Sequence, residues 1–163
     1  MLQTNLRHDE RLALPVAENA LLWCMRAWVV GLHREIGAER RIEDVLAQLG
    51  APDAAGSLFG FMWALRHGAV RTIGVECACQ PRVSADERAL LAVFSLAQEG
   101  QSLEAMLALR GLVSASAAKA AWLSAEGVAG ALLRAGKRLA RPASATARYA
   151  VPDGPGHAGR MLH

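Results

Sequence analysis

The chain offers few of the features by which a function is usually read from sequence. Of its 163 residues only Cys24, Cys77 and Cys79 are cysteine. An odd number with two nearly adjacent excludes a disulfide framework as the source of stability and suits a reducing compartment. No apolar run approaches the roughly 18–20 residues that a membrane-spanning helix requires, so no membrane span is expected. The segment Met1 to Glu10 carries Arg7, Asp9 and Glu10 without an apolar stretch, which is not the pattern of a secretory leader; a cytoplasmic location is the expectation. Lysine occurs only at Lys119 and Lys137 while alanine is abundant, a bias in keeping with a GC-rich bacterial genome.

Sequence signatures of catalysis are missing as well. There is no G-x-S-x-G elbow, no P-loop, no G-x-G-x-x-G after a strand and no H-E-x-x-H, each of which ties a backbone geometry to a reaction. The adjacent Asp86 and Glu87 point in different directions on a helix, so they read as a helix start rather than an acid/base pair. No catalytic residue is assigned, and a non-enzymatic role is favoured. Strand-forming residues gather only at Val70, Thr72, Ile73 and Val75, and one strand cannot make a sheet.

What the chain does have is helical periodicity. Leu21, Met25, Trp28, Val29, Leu32 and Ile36 recur at the spacing of one helix face, while Trp23, Ala27 and Val30 fall on the other side. This first helix, from Val16 to Ile36 with Gly37 as its stop, therefore reads as central to the fold or shared with a partner. A second helix over 38–49 turns Ile42, Val45, Leu46 and Leu49 inward. A third, capped by Asp53 and running to His67, carries Leu58, Phe61, Met62 and Leu65. Ser84 followed by Glu87 has the pattern of a capping box, predicting a helix to Gln98 that buries Leu90, Val93, Phe94 and Ala97. Ser102 caps a helix to Arg110 with Leu103, Met106 and Leu107 inward. An alanine-rich region from Ser114 to Gly136 follows, with a break expected near Ser124 to Gly127.

The expected fold is all-α, a compact bundle of about six helices with an irregular connector at 68–83. Residues 1–15 form a flexible arm, 16–139 a single helical domain and 140–163 a disordered or draped tail. The formal net charge of +3 is unevenly spread: residues 1–126 hold 12 basic and 14 acidic side chains, and residues 127–163 hold 6 and 1. The base therefore sits at the C-terminal end.

Three groups of residues are candidates for function. Cys77 and Cys79 form a C-x-C pair whose thiolates are nucleophiles and soft-metal ligands. With His67 as the nearest complement in sequence they would hold zinc or another soft metal; alone they would serve thiol redox chemistry. His33 and Glu76 are lesser ligands, and the competing account makes the cysteines small buried apolar residues. Trp23 and Val30 suggest an interface, either a homodimer or a contact with an unknown protein partner. Arg134, Lys137, Arg138 and Arg141 would share one face if the last helix persists, giving a phosphate or nucleic-acid contact; cations complementing a helix C-terminus explain them equally. The leading expectation is a small cytoplasmic bacterial helical protein acting as a self-associating, protein-binding regulatory or adaptor module. A metal-binding or thiol-redox protein centred on the C-x-C motif is the alternative, and a nucleic-acid-associated factor the third reading.

Overall fold

The computed structural model describes residues 9–141. Among them, a 3-10 turn at Glu10–Ala13 precedes six α-helices: α1 Val16–Arg34, α2 Glu39–Gln48, α3 Ala54–Gly68, α4 Ala85–Gln98, α5 Ser102–Arg110 and α6 Ala115–Arg134. The only β pairing among the described residues is an isolated antiparallel bridge between Ala69 and Val113. The all-α bundle expected from periodicity is therefore the fold. Residues 1–8 of the expected arm and 142–163 of the expected tail lie outside the described residues.

α3 and α6 pack most closely, and small residues make this approach possible. A Cβ on Gly60 would stand 2.9 Å from Ser124 Oγ, and one on Gly127 would stand 2.9 Å from Ser57 Cβ. The pairs Ser57/Gly127, Gly60/Ser124 and Gly68/Ala117 run in opposite chain directions, which makes the helices antiparallel. Ser124 and Gly127, read from sequence as a break, instead lie inside one continuous helix. They are small because they face α3.

The centre of the bundle is α4 rather than α1. Every residue from Leu90 to Leu96 is buried, including Ala92 and Ser95, because α4 is covered by α6, α5 and α1 together. Phe94 meets Phe61 of α3 with ring centroids 4.6 Å apart. The stripe expected on α3 is buried as read, with Leu58, Phe61, Met62 and Leu65 all in the core, as are Ile42, Leu46 and Leu49 at α2.

Other expectations need correction. α5 buries Ala105 and Leu109, one turn apart, while Leu103 is 73% exposed and Leu107 also faces outward. Ser102 is the first residue of α5 and Asp53 makes no side-chain capping bond. α1 stops three residues before Gly37: Glu35 takes the left-handed conformation at φ 52°, and the amides of Glu35 and Ile36 both donate to Gly31 O. Gly31 permits this fold-back, since a Cβ there would lie 2.8 Å from Ala38 Cβ. Ile36, expected in the core, is carried off the helix and left 61% exposed.

Candidate functional site

The capping box at the start of α4 forms as its sequence predicts. Ser84 Oγ accepts from the Glu87 amide at 3.0 Å, and the Glu87 carboxylate accepts from the Ser84 amide at 2.8 Å. The Glu87 carboxylate has a second duty, which sequence does not reveal. It is fully buried and receives Arg26 of α1 in a two-pronged contact, Nε to Oε1 at 2.7 Å and Nη2 to Oε2 at 2.8 Å. A forked arginine–carboxylate pair of this kind fixes orientation as well as charge.

Both partners also grip the connector. Arg26 donates through Nη1 to Gln80 O at 2.7 Å and through Nη2 to Arg82 O at 2.6 Å. Glu87 Oε1 accepts from the Glu76 amide at 3.0 Å. Arg11, in the 3-10 turn, donates to Ala78 O at 2.6 Å while its own guanidinium is held by Asp9. Main-chain groups at 76, 78, 80, 82 and 84 are thus bound in alternation by three charged side chains. Arg11, Arg26 and Glu87 satisfy main-chain groups between Glu76 and Ser84 that no sheet pairs.

Cys77 and Cys79 sit on this pinned segment. The Gln80 amide donates to Cys77 O at 3.0 Å, closing a turn over Ala78 and Cys79, and both thiols are exposed. The account that buries them therefore fails for this pair and holds only for Cys24, which is fully buried. The neighbouring Cys79 side chain, followed by the Cys79 amide, holds the Cys77 thiol below its ordinary range; burial opposes this and the Arg26 charge adds to it. The Cys77 side chain and its negative charge push Cys79 in the opposite direction. One turn therefore carries two accessible sulfurs of unequal acidity.

His67 is not brought to them. Its ring stacks on Trp63 at 5.1 Å and its Nδ1 lies 3.0 Å from Trp63 O. Among the described residues no three His, Cys, Asp or Glu side chains gather into a metal-holding cluster. His33 is exposed, and Glu76 meets the site through its amide.

The other candidates are placed as follows. Trp23 is partly buried against the core, and Val30 is half-exposed on the same helix. α6 ends at Arg134, with Gly136 at φ 72°, so Arg134, Lys137, Arg138 and Arg141 do not continue one helical face. Arg134 faces Asp53 at 3.9 Å, and Arg141 faces Glu99 at 3.5 Å and Glu104 at 3.2 Å. No helix among the described residues is long and apolar enough to cross a membrane.

Arg26 and Arg11 are the site residues that sequence reasoning missed. The one available signal was an arginine within an otherwise apolar stretch, Leu21 to Val30, where a charge needs a buried partner. Comparisons with protein families, with characterised proteins and with solved structures give no match.

Proposed function

We propose that the protein is a thiol-redox protein in which Cys77 and Cys79 cycle between dithiol and disulfide. The observation that carries this reading is the pair of exposed thiols on one hydrogen-bonded turn, with no third ligand side chain gathered beside them among the described residues. A closed structural zinc site takes four ligands, and this turn supplies two. The reading is preferred to a protein-binding adaptor because Trp23, which suggested an interface, packs against the protein's own core.

The chemistry follows from the unequal thiols. The Cys77 thiolate attacks one sulfur of a substrate disulfide, forming a mixed disulfide and expelling the first thiolate, which takes up a proton. Cys79 then loses its proton and attacks the Cys77 sulfur, closing the Cys77–Cys79 bond and expelling the second thiolate. The substrate gains two electrons and the protein loses two. A disulfide spans Cα atoms about 4.4–6.8 Å apart. The turn over Ala78 and Cys79 shortens the pair's separation from the roughly 7 Å of two extended residues.

The test is intact-mass analysis after equilibration in glutathione buffers of graded potential. The expected result is loss of two hydrogens per chain, mapped by peptide digestion to Cys77 and Cys79 and abolished by Cys79→Ser, which instead accumulates glutathione on Cys77. Two thiols that stay reduced across the whole range would overturn the reading, as would a stoichiometric metal ion that protects both until it is chelated.

A further inference from the structure

A second site lies where the chain leaves α6. Gly136 turns the backbone through the left-handed region, and residues 137–141 then run past the end of α4. Gln98, the last residue of α4, reads the main chain on both sides: its Nε2 donates to Lys137 O at 2.9 Å and its Oε1 accepts from the Leu139 amide at 2.8 Å. Leu139 is inserted into the core cluster at 9% exposure. The Ala140 amide donates to Glu18 Oε1, and Arg141 lies against Glu99 and Glu104.

We propose that this groove recognises an extended peptide of the pattern Leu-x-Arg from another protein, and that residues 137–141 are its resident occupant. Gln98 and Glu18 touch only backbone atoms of the segment, so any extended chain satisfies them. Selection rests on two side chains, a leucine for the core pocket and an arginine two residues later for the Glu99/Glu104 pair. The resident does not complete the site. Glu18 is 5% exposed, and its second carboxylate oxygen, Oε2, has no hydrogen-bond partner among the described residues. A buried acceptor left unpaired is unfavourable, which gives an advantage to a ligand that brings one more donor. The Arg141 contacts are solvent-exposed and hold the resident only weakly. Gly136 supplies the hinge on which it leaves.

A tethered occupant competes at an effective concentration on the millimolar scale, so the test uses a chain whose occupant is expelled. Full-length protein carrying Leu139→Asp is titrated into a fluorescein-labelled peptide Lys-Arg-Leu-Ala-Arg and followed by anisotropy. Saturable binding at least tenfold tighter than to the wild-type chain is expected. It should fall at least tenfold when the peptide leucine becomes aspartate, and again when Gln98→Ala is added to the protein. If circular dichroism shows Leu139→Asp unfolded, Arg141→Glu expels the segment by repulsion from Glu99 and Glu104 without touching the core, and the same titration applies. Equal affinity for opened and wild-type chains would overturn the proposal, as would binding indifferent to the peptide leucine. A wild-type dimer that Leu139→Asp dissociates would assign the groove to a second copy and overturn the assignment to another protein.

Discussion

Arg26 and Glu87 lie 61 residues apart in the chain and meet with their side chains 1% and 0% exposed. Replacing such a pair wholesale by well-packed apolar residues is often neutral, so its value is seldom net stability. Here the pair fixes a path: its remaining donors and acceptors hold the main chain at Glu76, Gln80, Arg82 and Ser84. Removing either partner leaves a buried charge and frees the segment that carries the thiols.

Arg26→Met is therefore expected to destabilise the fold by about 3–5 kcal/mol, the range for breaking a buried pair from one side. Urea unfolding measures the loss. Hydrogen exchange should show the Glu76 and Ser84 amides losing protection before those of α3 and α6.

Acid should expose the same dependence. Burial raises the Glu87 carboxyl, but the Arg26 hydrogen bonds and the Ser84 and Glu76 amides outweigh it and leave the group below its ordinary range. Asp86 is lowered mainly by Arg71. For a carboxyl lowered in the folded state, the stabilisation is complete above the ordinary carboxylate range and disappears as pH falls through the folded value. Urea midpoints should hold steady from neutral pH to about pH 5 and then fall, with a shallower fall in Glu87→Gln.

The three thiols should separate cleanly by reactivity. Burial pushes Cys24 up to about 12, whereas Cys77 and Cys79 are exposed. A disulfide reagent at neutral pH should modify two thiols per native chain, Cys77 first, and the third only in denaturant. Three equally fast thiols would contradict the burial of Cys24.

Helix approach gives a test independent of the thiols. Gly127→Ala places a methyl group against Ser57, so a loss of about 1–3 kcal/mol is expected. Ser57→Gly in the same chain should restore part of it. Gly111→Ala, at φ −75° with nothing within 4 Å of the added carbon, should be neutral or stabilising by about 0.4–1 kcal/mol. Thermal unfolding of the three variants distinguishes packing from chain entropy.

Local patterns were legible in the sequence, and long-range pairings were not. The Ser84/Glu87 cap depends on residues three apart and reads directly. The stripe from Leu58 to Leu65 reads equally well, because a helix face repeats over a turn or two. Arg26 reads as an interruption of an apolar helix until Glu87 is known to lie opposite it. α1 looked central because its residues are large, yet α4 is central because Ala92 and Ser95 are small enough to let other helices cover it. Leu103 and Leu107 misled for a related reason: periodicity identifies a face, but only the neighbours decide which face of α5 is covered. At the candidate site, Cys77 and Cys79 were visible as a pair; the side chains that aim them come from the 3-10 turn, α1 and α4.

The buried position of Cys24 has a further consequence for how the chain ages in an oxidising environment. Three thiols can pair in three ways, yet only one pairing joins two sulfurs that solvent can reach. Oxidation of the folded chain is thereby confined to a single intramolecular isomer, and its reversal needs no shuffling step to correct a wrong partner.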